Sequence, residues 1–124
     1  MAEFGYPRAS RLLTPGDFKS VFDRASFKVS DPSLLILART NELGHPRLGF
    51  VISKKNVRRA VKRSHIRRII RESFRLRQHQ LPSVDIIILA RKGLDTLDSS
   101  QLRTLIERSW TRLERKSSNA QKDN

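Results

Sequence analysis

Apolar residues recur along this chain at two spacings, one typical of helices and one typical of strands. In "TPGDFKSVFDRA" the residues Phe18, Val21 and Phe22 lie three and four positions apart, so they share one helical face. Thr14, directly before this run, is of the residue type preferred at a helix N-cap. The pattern predicts a first helix that ends near Ala25.

Four apolar runs have the length of strands and are bounded by turn residues. They are "FKV", "LLILART", "RLGFVIS" and "VDIIILA". The third run alternates between two sides, with Leu48 and Phe50 on one side and Gly49 and Val51 on the other. The fourth run is apolar throughout, which predicts a central position in a sheet.

The last periodic segment predicts a helix from about Ser100 to Arg115, with Asp98 or Ser99 as its N-cap. Its expected buried residues are spaced three and four apart: Leu102, Leu105, Ile106, Ser109, Trp110 and Leu113. The polar residues that follow predict a flexible tail, so residues 1–116 form the expected domain and 117–124 the tail. The element order α-β-β-β-α-β-α favours a single domain, an α+β or split α/β sandwich with helices covering one face of the sheet.

The segment "AVKRSHIRRIIRESFR", from Ala60 to Arg75, divides into two stripes when it is drawn as a helix. One stripe is mostly apolar and contains Ile66, Ile69, Ile70, Ser73 and Phe74. The opposite stripe contains Ala60, Ser64, Arg67, Arg68, Arg71 and Arg75. A flexible basic arm needs no such division. The pattern therefore predicts a helix docked through its isoleucines.

Positive charge is concentrated in the same part of the chain. The 124 residues contain 26 Lys and Arg against 12 Asp and Glu, a formal net charge of +14 with a pI near 11.5. Between Lys54 and Arg77 there are eleven basic residues and one acid, Glu72, so this segment contributes 11 − 1 = +10. A solvated charged face usually alternates in sign, and this one does not. The charge predicts a polyanion partner, nucleic acid above all.

Other classes of protein fit the sequence less well. No apolar run approaches the roughly 20 residues of a membrane span, and the N-terminus lacks the apolar core of a signal peptide. There are no cysteines, and the acids and histidines are scattered without catalytic or metal-ligand spacing. We therefore expect a cytoplasmic protein with no membrane partner, no metal site and no active site of its own.

Three quoted stretches, "RLGFVISKKN", "RRAVKRSHIRRIIRESFR" and "VDIIILARKG", together with "TPGDFKSVF", resemble the family of bacterial ribonuclease P protein subunits. The likeness covers about residues 8 to 113, with the elements in the family's order. It implies a four-stranded sheet in which the basic helix forms an unusual left-handed βαβ crossover. The general rule favours right-handed crossovers, so this hand follows from the resemblance alone.

The resemblance also implies a function, which is removal of the 5′ leader from precursor tRNA. In the family the catalytic RNA performs hydrolysis with bound Mg²⁺, and the protein contributes binding. One protein per RNA is expected. The contact with the catalytic RNA is expected at Lys54, Lys55, Arg59, Arg63, Ser64, His65, Arg67, Arg68, Arg71 and Arg75. At two of these positions, Ser64 and His65, the family has Asn and Arg.

The single-stranded 5′ leader is expected in a cleft between the first helix and the sheet, at Arg11, Phe18 and Phe22. The spacing of the two phenylalanines also suits a plain core role. The strand "LLILART" offers Ile36 or Leu37 where the family often has a cleft aromatic, and the sequence does not choose between them. Two other functions stay open: a nuclease that acts without RNA, and a ribosomal or general RNA-binding protein.

Overall fold

The computed structural model describes Arg11 and residues 14–122, which fold in the predicted element order. The helices and strands are α1 (Pro15–Arg24), β1 (Phe27–Asp31), β2 (Leu34–Thr40), β3 (Arg47–Val51), α2 (Ala60–Arg77), β4 (Val84–Ala90) and α3 (Ser99–Lys122). A short 3₁₀ turn, Leu94–Thr96, precedes α3. The predicted single α+β arrangement is confirmed.

The four strands form one mixed sheet in the order β1-β2-β4-β3. β4 pairs antiparallel with β2 and parallel with β3, so it is an inner strand as its apolar sequence predicts. Because β3 and β4 are parallel, the chain must cross over between them, and α2 makes this crossover. The left hand of the crossover stays a prediction.

The helices cover both faces of the sheet, whereas the sequence predicted one covered face. Ile36 and Ile88 belong to the main core with residues of α2 and α3. Leu37 and Ile87, each next to one of these in its strand, instead pack with Val21 of α1. Neighbouring strand residues point to opposite faces. An apolar central strand has to be covered on both sides, and α1 supplies the second cover.

The predicted apolar stripes of α2 and α3 are the surfaces through which these helices pack. All five stripe residues of α2 are buried, and so are the six of α3. Phe74 and Trp110 lie against each other with ring centroids 6.1 Å apart. The indole Nε1 of Trp110 donates to Ser73 Oγ at 2.9 Å, and Ser73 in turn donates to Glu107. The buried indole N–H is therefore satisfied, as burial requires.

α3 is longer than predicted. It begins after Asp98, which is the N-cap: Gln101 N donates to Asp98 Oδ1 at 2.8 Å, and Asp98 N donates back to Gln101 Oε1 at 2.9 Å. It then continues to Lys122, beyond the predicted end at Arg115, so the segment expected to be a tail is helical as far as Lys122. Ser117 is buried. No Gly or Pro follows Arg115 to end the helix.

Candidate nucleic-acid interface

The exposed side of α2 presents a surface of nearly one sign, which we call the basic face: Ser64, Arg67, Arg68, Arg71 and Arg75. These side chains are exposed or half-buried, while the isoleucines of the same helix are buried. Ser64, Arg68, Arg71 and Arg75 line an open groove of about 600 Å³ together with the acid Glu72. Arginine's planar fork of donors suits phosphate oxygens.

A second basic cavity lies at the start of α2. Arg58, Arg59 and Lys62 line it together with Asp95, and its volume is about 610 Å³. Arg59 is the N-cap residue but makes no capping hydrogen bond with its side chain, so the first N–H groups of α2 add their partial positive charge to this region. Lys54 and Lys55 are exposed in the preceding turn. The predicted cations of the loop and the basic face are thus brought together.

Arg63 holds the preceding loop. Its Nη1 donates to the carbonyl oxygens of Val57 and Arg58, each at 2.9 Å, and the side chain is half-buried. At least part of its guanidinium is therefore used inside the protein. If Arg63 contacts RNA as expected, it does so in addition to holding this loop.

His65 lies away from the basic face, and its contact with RNA stays a prediction. Its Nε2 lies 2.9 Å from Ser99 Oγ at the start of α3, and the side chain is half-buried. Ser64, one residue earlier, is exposed and lines the groove. Adjacent helix residues point about 100° apart, so the two can serve different surfaces.

The other sequence-predicted surface lies between α1 and the opposite face of the sheet, and we call it the cleft. Val21 is buried against Ile87, and the half-buried Phe18 packs beside them. Phe22, one turn further along α1, is 45% exposed. The α1 helix thus uses one aromatic partly for packing and presents the other to solvent.

The sheet side of the cleft contains Leu37, one of the two candidates from the sequence, and two residues that the sequence interpretation missed, Leu89 and Val51. Leu37 and Leu89 are half-buried and, like Phe18, pack against Val21 and Ile87. Leu37 is therefore the one of the two candidates on the α1 face, since Ile36 is fully buried on the other face. Val51, on the α1 side of β3, is 37% exposed. The alternation within "RLGFVIS" was the available signal, but it does not say which side faces α1.

An ion-pair cluster fixes α1 to the sheet beside the cleft. Arg47 binds Asp85 through two hydrogen bonds of 2.8 Å, and it also lies 3.5 Å from Asp17 of α1. Asn41 Nδ2 donates to Asp85 Oδ1 at 2.8 Å. The hydrogen bond to Asp85 raises the pKa of Arg47 above its ordinary value, against the smaller effect of burial. Arg47 therefore stays charged and positions the start of α1.

Thr14 and Asp17 complete this end of the helix with a capping box. Asp17 N donates to Thr14 Oγ1 at 3.1 Å, and Thr14 N donates to Asp17 Oδ2 at 3.3 Å. The third predicted leader residue, Arg11, is exposed and forms a parallel bridge with Leu48 of β3. It lies at the β3 edge, whereas α1 packs over β2 and β4.

Two kinds of site are missing from the part of the chain that the structure describes. Its Asp, Glu and His side chains nowhere form a group of three or more that could hold a metal ion. None of its helices combines the length and apolar character needed to cross a membrane.

Comparison with known proteins matches nearly the whole chain to one family. The family model described as Ribonuclease P matches residues 6–114. A ribonuclease P protein component from Chromohalobacter salexigens is 57% identical over 115 residues, which are 93% of this chain and 90% of the relative. One from Escherichia coli strain K12 / DH10B is 47% identical over 112 residues, covering 90% and 93% respectively.

Solved structures are similar in fold as well. The Staphylococcus aureus RNase P protein superposes with a TM-score of 0.76 at 29% identity, over 82% of this chain and 93% of that one. The RNase P protein from Thermotoga maritima gives a TM-score of 0.71 at 28% identity, over 85% and 96%.

Proposed function

Because this chain belongs to the Ribonuclease P family, we propose that it acts as the protein subunit of a tRNA 5′-processing ribonucleoprotein. In this proposal the basic face and the loop before α2 bind the catalytic RNA. The cleft binds the single-stranded 5′ leader of precursor tRNA. The protein thereby raises affinity for precursor over mature tRNA.

The observation that carries the proposal is the separation of two surfaces with different chemistry. The basic face offers guanidinium groups with a single acid, Glu72, among them, and this suits the phosphates of a folded RNA. The cleft offers the exposed ring of Phe22, which suits the unstacked bases of a single strand. α1 and α2 pack on opposite faces of the sheet, so one protein can hold both RNAs at once.

The proposed division of labour leaves hydrolysis to the RNA. We propose that the Mg²⁺ of the holoenzyme is bound by the catalytic RNA. The protein's own contribution is to neutralise phosphates and to orient the leader. One protein per RNA and a cytoplasmic location remain part of the proposal.

The experiment is a reconstitution with catalytic RNA, in which assembly and leader discrimination are measured separately. Arg68→Ala and Arg71→Ala should weaken assembly, and each phosphate left without its arginine should lower the salt slope by about 0.9 log units on a duplex. Phe22→Ala should instead reduce the preference for precursor over mature tRNA, since stacking contributes about 1–3 kcal/mol per base. Phe22 is a sharper choice than Phe18, whose side chain also packs in the core.

Leu43→Ala is the matched control for Phe22→Ala, because it also removes a half-exposed apolar side chain but lies in the loop after β2. If substitutions on one of the two surfaces weakened both assembly with the catalytic RNA and the preference for precursor tRNA, the two-surface arrangement would be contradicted. Cleavage by the purified protein and Mg²⁺ without RNA would favour a nuclease. Failure to restore precursor cleavage by the catalytic RNA at low Mg²⁺ would favour a general RNA-binding protein.

A further inference from the structure

A second concentration of positive charge lies on α3, outside the basic segment that the sequence singled out. Arg108, Arg112 and Arg115, which we call the α3 arginine stripe, are exposed and spaced by four and three residues. They therefore share one side of the helix over about 10 Å. Arg108 and Arg115 have no ion-pair partner among the described residues.

The acids of α3 do not neutralise this stripe, because both of them bind Arg77 of α2. Glu107 Oε1 lies 3.1 Å from Arg77 Nη1, and Glu114 Oε2 lies 2.7 Å from Arg77 Nη2. They are the only acids in the sequence from Ser99 to Lys122. Glu107 and Arg77 also line the groove of about 450 Å³ that the three stripe arginines line, so this groove contains four arginines and one acid. A solvated face with alternating charge would contain acids and bases in similar number.

The stripe is connected to the sheet at its β1 edge. Arg112 Nη1 donates to Ser30 O at 3.3 Å. Arg91 Nη1 donates to Ser30 Oγ at 3.0 Å and to Asp31 O at 2.8 Å. Ser30 neighbours Val29, which is buried on the α3 face, so Ser30 points to the α1 face. Cations therefore meet the β1 edge from both sides of the sheet.

A cation also stands on the cleft side of this edge. Lys28 is exposed and points to the same face as Ser30, two residues away along β1. A path of positive charge thus runs from the α1 face, past Lys28 and Arg91, over the edge to Arg112 and the rest of the stripe. The basic face of α2 is not on this path, since α2 crosses between β3 and β4 at the other end of the sheet.

The chemistry of the stripe suits phosphates and not bases. Trp110, the aromatic residue of α3, is fully buried against Phe74, so it offers no exposed ring for stacking. Guanidinium groups without an aromatic neighbour neutralise a backbone without reading its sequence. The expected occupant is therefore a nucleic-acid strand held by its phosphates.

We propose that the α3 arginine stripe binds the phosphates of the precursor leader upstream of the nucleotides in the cleft, after the strand has crossed the β1 edge. This inference rests on the proposed leader site. It adds a second contact with the leader, made through phosphates and not through bases. Affinity at this contact depends on the length and charge of the leader and not on its sequence.

The test measures affinity of the reconstituted holoenzyme for precursor tRNAs whose leaders are lengthened one nucleotide at a time. For the unmodified protein, affinity should rise first as the leader fills the cleft and again when it reaches the stripe. The double variant Arg108→Ala/Arg115→Ala should lose the second rise, about tenfold for two exposed charge contacts. Its salt slope with the longest leader should fall by about 1.4, since each single-strand phosphate contributes about 0.7.

Lys19→Ala/Arg103→Ala is the matched control, because it removes the same formal charge from exposed positions on α1 and on another side of α3. It should keep the second rise. Equal losses in both double variants, or no loss in either, would overturn the stripe's role. Weaker assembly of the stripe variant with the catalytic RNA would assign the surface to that RNA instead. Phe22→Ala tests the first rise, so failure of the cleft is seen separately from failure of the stripe.

Discussion

At the scale of single residues, the partner of a cation decides its role, and charge alone does not. Arg63 donates to loop carbonyls, and Arg77 binds two acids of α3, although both lie in the most basic segment of the sequence. Arg68, in the same helix, is exposed and lines the groove. The charge available to RNA on α2 is therefore smaller than the segment's formal value.

Ser64 and His65 are the two departures from the family pattern, and we expect their substitution to affect different properties: RNA affinity for Ser64 and stability for His65. Ser64→Asn changes an exposed groove residue and should raise affinity for the catalytic RNA with little change in stability. His65→Ala removes the contact with Ser99 and should lower stability by about 1 kcal/mol, with unchanged RNA affinity. Urea unfolding and RNA titration of both variants check this. A loss of RNA affinity in folded His65→Ala would return His65 to the interface.

Arg47 should matter for stability more than any exposed pair. Arg47→Met leaves Asp85, which is 8% exposed, without its charged partner, and we expect a loss of about 3 kcal/mol. The pKa of Arg47 is raised, so its contribution is complete below its ordinary value and is lost only as pH rises through the raised value. The loss in the variant should therefore be the same throughout the neutral range.

Urea unfolding with an unchanged m-value measures this loss. Lys19→Ala is the control, since it breaks a fully exposed pair with Asp23 and should leave the urea midpoint where it is. Equal midpoints for the Arg47 and Lys19 variants would show that the cluster beside the cleft does not stabilise the fold.

At the scale of elements, the sides of α2 have different roles: one packs on the sheet, one contacts α3 and one faces solvent. Its isoleucines pack on the sheet, Ser73 and Arg77 contact α3, and the basic face is left to solvent. Stripes of this kind follow from 3.6 residues per turn. A substitution on one side of α2 should therefore leave the contacts of the other sides intact.

Arg77→Ala tests this independence. Arg77 is 18% exposed and also donates to Thr111 Oγ1 at 2.9 Å, so its removal should loosen α2 from α3 and cost about 2 kcal/mol. Arg68→Ala, the matched change on the basic face, should cost almost nothing in stability. Thermal unfolding of both variants, with RNA affinity at a temperature where both are folded, measures the difference. Lost RNA affinity in folded Arg77→Ala would place it in the interface.

At the scale of the whole molecule, the sheet lies between the cleft and the two positively charged surfaces of α2 and α3. The basic face lies on α2, the cleft lies under α1 on the opposite face, and the α3 arginine stripe lies near the β1 edge. A large net positive charge destabilises a compact fold, because like charges that lie close together repel one another. Here α2 and α3 carry this charge on their outer sides, and at the contact between them the two acids of α3 pair with Arg77 of α2.

The sequence by itself determined the helices and strands, the inner position of β4, the buried stripes and the concentration of charge on α2. These follow from spacing between residues a few positions apart, and the periods of helix and strand are local properties. The resemblance to the family added the expectation of two RNA surfaces, but Val51 and Leu89 at the cleft were not identified.

Only the tertiary structure decided that α1 covers the second face of the sheet, that His65 contacts α3, and that Arg77 binds both acids of α3. The His65–Ser99 and Arg77–Glu114 contacts join residues 34 and 37 positions apart. No local period specifies such pairs, because they depend on how finished helices pack. The α3 arginine stripe also depends on how the helices pack. The acids of α3 bind an arginine of α2, and the stripe arginines face solvent.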